Sequence, residues 1–287
     1  MTATWAPLNE TPTYTVGDWY GNATDVYDCD WIVETIKGWS EPPTVTGTTV
    51  SREFDDGEDA GDVYYGARFI MLSGTTIARS RAAMVAAKDR FAAVASGRSG
   101  ATLIVAEAHL TRMCVVHRDG GSSCEDMGPA KFRWEFTLRA SDPRRYDVTT
   151  SSAGVAAAVG TGGLPIPLTF PLDFGASSPA NRVTLTNTGT WRTPLRAVFS
   201  GPYISPGLTS EAAGRSLDFD LTLASGDQLT VDTGTREVLL QGTSSRLYTI
   251  RPGSQWFQLV PGPNDLRVNG DGSSGGRVDL TYQSAWI

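Results

Sequence analysis

From Leu217 to Leu223 the chain reads Leu-Asp-Phe-Asp-Leu-Thr-Leu, with every odd position apolar and every even one polar. Successive side chains of extended backbone point to opposite sides, so this period of two marks a strand with one buried face. A helix would scatter the same four apolar residues around its circumference. The pattern returns at Val183/Leu185, Leu195/Ala197/Phe199, Leu229/Val231, Val238/Leu240, Leu266/Val268 and Val278/Leu280/Tyr282. Turn-forming sequences separate these segments: Asn187-Thr-Gly189, Ser225-Gly-Asp227, Asp232-Thr-Gly234, Pro261-Gly-Pro-Asn264 and the run 269–276. Short strands recurring roughly every 8–12 residues, with no helical segment among them, predict an antiparallel β-sandwich.

The N-terminal half differs by containing a helix. Between Thr75 and Ser96 the residues Ile77, Met84, Val85, Phe91 and Val94 fall at helical spacing among many alanines, and Gly97 follows as a stop. The spacing predicts about five turns. Strands are predicted at Asp62–Leu72, Ala101–Glu107, Leu110–Val116 and Phe132–Arg139. The last is the clearest, with Phe132, Trp134, Phe136 and Leu138 alternating with Arg133, Glu135, Thr137 and Arg139. This half reads as α+β, a mostly antiparallel split-barrel-like sheet carrying one helix, so the whole chain is mainly β.

The 287 residues suit two domains. The stretch Val148–Gly163 (VTTSSAGVAAAVGTGG) consists almost wholly of small residues and reads as a linker. The expected division is therefore 1–147, a linker at 148–163, and 164–287. With 40% hydrophobic and 19% charged residues the chain is a folded one. No apolar run approaches the roughly 20 residues of a membrane span, and residues 1–10 lack the basic start and apolar stretch of a signal peptide, so folding in a cytoplasm is expected. A net charge of −7 disfavours nucleic-acid binding. The only lysines are Lys37, Lys88 and Lys131; arginine supplies the rest, which suits subunit interfaces and is equally explained by a GC-rich genome.

Several constellations resemble reaction or binding chemistry, and each has a plainer explanation. His109, Cys114, His117 and Cys124 are four ligand-type residues within a short span. Cys114 and His117, three apart on a predicted strand, would face opposite ways, unlike the paired knuckles of zinc sites. No metal is expected there. Three cysteines, Cys29, Cys114 and Cys124, are the wrong number for a disulfide scaffold. A Cys114–Cys124 bridge across a hairpin loop stays open outside the cell, with reduced thiols as the default.

Asp55, Asp56, Glu58 and Asp59 lack the order of a calcium loop and read as a solvated surface. Gly160–Gly163 faintly resembles a phosphate loop, but Pro165 and Pro167 forbid the helix that should follow. Only two histidines are present, and no nucleophile and base pair stands out, so no catalytic residue, cofactor or metal ligand is assigned and wall hydrolysis is disfavoured. Trp191, Trp256, Trp286 and Tyr203 are of the type that stacks on sugar rings, although scattered aromatics more often fill cores or contacts.

Taken in order, these segments resemble the distal tail protein family of siphophages, whose members also go under phage tail family or minor tail protein. The similarity lies first in Asp30-Trp31-Ile32-Val33 through Gly38-Trp39-Ser40-Glu41-Pro42-Pro43. It continues in Tyr65-Gly66-Ala67-Arg68, Leu72-Ser73-Gly74-Thr75, the Arg79–Phe91 helix and Ala140–Tyr146. The second half adds Asn187–Thr190, Pro194-Leu195, Phe199–Pro202, Gly226-Asp227, Val231–Thr233 and Leu259–Asn264. No single piece is specific; the ordered series is.

The resemblance implies a structural virion protein with no catalytic site. Its N-terminal domain would form a hexameric ring continuing the tail tube, and a galectin-like C-terminal sandwich would project outward. The implied partners are further copies of the chain, the tail tube protein, the tape measure protein and other tail-tip or baseplate proteins, without membrane insertion. The implied location is the phage tail tip, after assembly in the host cytoplasm. Arg79, Arg81 and Arg90 on the helix are expected to pair with a neighbouring copy's carboxylates in such an assembly. The alternative is a carbohydrate-binding adhesin that recognises a host cell-wall glycan through the sandwich.

Overall fold

The computed structural model describes residues 6–7, 12–156, 181–272 and 275–287. The chain divides into two compact units, Met1–Val148 with Ile287, and Thr149–Trp286. Both are built almost wholly of antiparallel strands.

The first unit contains β1 (Ala6–Pro7), β2 (Thr13–Val16), β3 (Trp19–Gly21), β4 (Ala23–Thr24), β5 (Asp30–Lys37), β6 (Val45–Ser51), β7 (Glu58–Tyr65) and β8 (Arg68–Ile77). Then come helix α1 (Arg81–Ala93), β9 (Ala101–Ala106), β10 (Thr111–Asp126), β11 (Lys131–Ala140) and β12 (Arg145–Asp147). The sheet order is β1-β4-β5-β8-β11-β10-β9-β2-β3, with β12 also paired to β10. The Trp19 ring, from one end of this order, meets Trp31, Trp134 and Phe136 at centroid distances of 6.0, 5.4 and 5.7 Å. Those residues come from β5 and β11, so the sheet curls around a shared aromatic core. Helix α1 adds Met84, Ala87 and Phe91 to that core.

The helix is shorter than the periodicity predicts. Thr75-Thr76-Ile77 complete β8, paired to both β5 and β11, and Ser80 caps the helix by accepting from the Ala83 amide at 3.1 Å. The β-branched run belongs to the sheet, and the serine N-cap marks the true start. Val85, expected on the buried face, is exposed, and Ala87 takes its place. The expected strand Asp62–Leu72 is also divided at Gly66-Ala67: β7 pairs only with β6, while β8 joins the main sheet. In β11 the inward row is Phe132, Trp134, Phe136 and Leu138, as the alternation predicts.

Two buried polar centres fasten this unit. Asp25 accepts from the amides of Tyr27 (2.8 Å) and Cys29 (2.9 Å), from Trp31 Nε1 (3.0 Å) and from Arg90 (2.7 Å), which ties α1 to the β4–β5 turn. Arg68 is buried and donates to the carbonyls of Gly38, Trp39, Glu41 and Pro143. Burial lowers its guanidinium pKa from the ordinary value. It gathers the Gly38–Pro43 turn, the start of β8 and the segment after β11. These stretches carry much of the N-terminal resemblance. Gly74 lies opposite Val33 where β5 pairs with β8, and an added Cβ would fall 2.0 Å from the Ile32 carbonyl oxygen.

The second unit contains β13 (Ser151–Ala156), β14 (Arg182–Asn187), β15 (Leu195–Ser200), β16 (Tyr203–Ser210), β17 (Arg215–Asp218), β18 (Thr222–Leu223), β19 (Gln228–Asp232), β20 (Glu237–Leu240), β21 (Ser244–Ser245), β22 (Gly262–Asp271) and β23 (Arg277–Tyr282). One sheet runs β13-β23-β15-β19-β20-β21 and the other β14-β22-β16-β17, with β18 also on β16. Their inner faces share one apolar core that includes Phe199, Phe219, Leu229, Leu266, Val278 and Leu280.

The linker reading needs correction. Ser151–Ala156 is a strand whose full length pairs with β23, and Val155 is buried. Alternate small residues suffice for an edge strand whose partner supplies the ladder. The remainder of that stretch, 157–163, lies outside the described residues. The Leu217–Leu223 alternation does bury Leu217, Phe219 and Leu223, but it forms two short strands and not one. Pro206 of β16 has no amide to donate, and the local pairing shifts from Ile204 to Gly207.

Candidate interaction surface

The structure separates most of the residues that sequence spacing groups together. His109 is in the exposed β9–β10 turn, Cys114 is buried opposite Leu103, and Cys124 is exposed opposite Trp134. Cys114 and Cys124 lie ten positions apart on the single strand β10, a span of about 30 Å, so the hairpin-loop disulfide is excluded by geometry. The strand expected over Leu110–Val116 runs on to Asp126, through Gly120-Gly121 and Ser122-Ser123. The structure absorbs them as a bulge between Asp119 and Ser122. Burial pushes the Cys114 thiol up to about 12.

The helix arginines are also placed differently from expectation. Arg79 pairs with Asp30 at 3.4 Å, Arg81 with Asp126 at 2.9 Å and Arg90 with Asp25 at 2.7 Å, all within the chain. Asp126 is further held by Lys88, and hydrogen bonds from Lys88 and Arg81 lower its carboxyl pKa from the ordinary value. The helix is therefore charge-matched to its own sheet.

Two other surfaces fit a contact. The β6–β7 ribbon forms its own two-stranded sheet, and every residue of β6 is exposed. At about 3.3 Å per residue it reaches roughly 20 Å. Val45 and Val63 lie on one face, Val50 lies further along, and Phe54 at the tip is 97% exposed. Beside Phe54 stand Asp55, Asp56, Glu58 and Asp59, with Arg52 paired to Asp59 at 2.9 Å. The acidic cluster is thus the tip of an apolar arm. An isolated two-stranded ribbon is marginal in water, and exposed Val and Phe along it add unfavourable hydration.

The outward row of β11 has the opposite character. Lys131, Arg133 and Arg139 are exposed and form no ion pair among the described residues, with Glu135 between them. In register across β8 and β11, Arg139 lies opposite Phe69, which is itself exposed. One surface is acidic with an apolar tip, the other basic with an apolar neighbour. Alternation in β11 identifies its core face and leaves the outer row looking like ordinary solvated charge.

Of the aromatic residues considered for sugar stacking, Tyr203 is buried and donates its hydroxyl to the Asn269 carbonyl at 3.0 Å, which removes it. Trp191, Trp256 and Trp286 are each half-buried. The Gly160–Gly163 segment lies outside the described residues. No described helix is long and apolar enough to cross a membrane.

Residues 188–286 match the family described as siphovirus-type tail component, C-terminal domain. A search of curated protein sequences finds no match. Among solved structures, the Dit protein of phage SPP1, described as a paradigm of the hub adsorption apparatus in phages infecting Gram-positive bacteria, aligns with a TM-score of 0.69. The identity is 12%, with 96% of this chain and 100% of that chain covered. A chain of the phage P2 baseplate in its activated conformation aligns with a TM-score of 0.47 at 9% identity, covering 95% of this chain and 98% of that one.

Proposed function

The chain carries a siphovirus-type tail component domain on the fold of a phage distal tail protein, and on that premise we propose that it is a structural ring subunit of the tail tip. The observation that carries the reading is the exposed β6–β7 ribbon facing outward from a unit whose β11 row offers unpaired cations. A ribbon of one copy laid on the outer face of the next is a heterologous contact, and repeating it around an axis closes a ring, here taken as six copies. The contact covers Phe54 and Val50, and it sets Asp55, Asp56 and Glu58 against Lys131, Arg133 and Arg139.

In this reading the protein has no catalytic role. The first unit joins the tail tube and tape measure proteins, the second unit holds baseplate or receptor-binding parts, and the assembled protein resides in the virion after folding in host cytoplasm.

Mass photometry of the full chain across a concentration series tests the contact. Ring-sized species are expected, with their formation weakened by salt. Phe54→Ser combined with Val50→Ser should weaken assembly, as should Arg133→Glu with Arg139→Glu. Pairing the β11 reversal with Asp55→Lys and Asp56→Lys should restore it. Assembly unaffected by either set would overturn the proposed contact.

A further inference from the structure

A cavity of about 420 Å³ opens within the second unit, and its lining includes Arg192, Arg215 and Arg236 but no carboxylate. In a chain of net charge −7 that convergence is contrary to the overall balance. Three separate parts of the unit supply the arginines: the segment before β15, the start of β17 and the β19–β20 turn. All three side chains are exposed.

The local backbone explains how they are held. Thr193 and Leu259 exchange both amide hydrogen bonds at 2.9 Å, which sets Arg192 beside Gln258 and Val260. Arg215 donates to the Trp256 carbonyl at 3.1 Å. The turn bearing Arg236 is fixed by Asp232, whose Oδ1 accepts from the Gly234 and Thr235 amides at 2.7 and 3.1 Å. The neighbouring acids do not line the cavity: Asp232 accepts within that turn and Glu237 accepts from the Thr235 hydroxyl at 3.0 Å. Arg215 and Arg236 form no ion pair among the described residues.

We propose that this cavity is a binding site for an anionic saccharide, a sugar ring bearing phosphate or carboxylate. Guanidinium forks recognise both oxyanions bidentately. The half-buried Trp256 lines the same cavity and provides an apolar face for the sugar's C–H surface. The volume is adequate for a small ligand. This inference does not depend on ring formation, and a monomer would bind equally well.

Calorimetric titration of the full chain tests it with glucose 6-phosphate, glucuronate, glucose, AMP and inorganic phosphate as separate ligands. At least one of the two anionic sugars should bind saturably, and which of them does assigns the oxyanion. Glucose and inorganic phosphate should each bind about tenfold or more weakly, since each offers only half of the recognised chemistry. Arg215→Gln with Arg236→Gln should reduce affinity by about tenfold or more without changing thermal unfolding, because both side chains are exposed. Trp256→Phe should reduce binding of the sugar and leave that of inorganic phosphate alone. Lack of saturation by both anionic sugars, equal binding of glucose, tighter binding of AMP, or full affinity in the double arginine variant would overturn the proposal.

Discussion

Asp25→Ala would test whether the buried polar centre fastens the first unit as described. The substitution removes the acceptor for two amides, for the buried Trp31 indole and for the Arg90 guanidinium. Removing one member of a buried ion pair costs about 3–5 kcal/mol. The Arg90 side chain is 31% exposed, so water recovers part of that loss and the low end, about 3 kcal/mol, applies. The stranded Trp31 donor adds about 1 kcal/mol, for a total near 4 kcal/mol. In a unit of about 150 residues each kcal/mol corresponds to roughly 2–4 °C, so its unfolding should fall by about 10 °C. Differential scanning calorimetry of the full chain, with near-ultraviolet circular dichroism to follow the tryptophans, would read this. Arg90→Met should cost less, about 1–2 kcal/mol, because Asp25 keeps its three N–H donors. A loss under about 1 kcal/mol for Asp25→Ala, or an equal shift in the unfolding of the second unit, would refute the reasoning.

Two further outcomes follow from the same geometry. Gly74→Ala should destabilise the first unit by about 2 kcal/mol or more in urea unfolding, since the new methyl meets the Ile32 carbonyl and Trp134 and the paired strands must part; a neutral effect would mean that β5 and β8 are further apart. Native thiol labelling followed by mass spectrometry should modify Cys124 alone, because it is exposed whereas Cys29 and Cys114 are buried; rapid labelling of Cys114 before unfolding would contradict its place in the core.

The sequence exposes what repeats and conceals what depends on a partner strand. The β11 alternation reveals its core face because four large apolar residues at period two admit one reading. Ser151–Ala156 carries no such contrast, and its strand character comes from a ladder with β23, more than a hundred residues away. Thr75–Ile77 continues the apolar pattern of the helix although it belongs to a strand, and the Ser80 cap is the signal that separates them. Helix arginines look like interface residues in sequence, whereas the carboxylates that neutralise them, Asp25, Asp30 and Asp126, lie far off along the chain and become visible only in space. The three arginines around the second unit's cavity are likewise spread over 45 positions, with no spacing to betray them. Arg68, central to the fold, looks like one more basic residue at a strand start.

Electron microscopy of intact parent tails, with an epitope tag in the exposed turn at Gly242 of the second unit visible by antibody, bears most directly on the ring. The account predicts six labels around the axis at the distal tip and, on averaging, ribbon density from each copy lying on β11 of the next. Label along the tube or at the head end, or a tip without rotational symmetry in this protein, would contradict it.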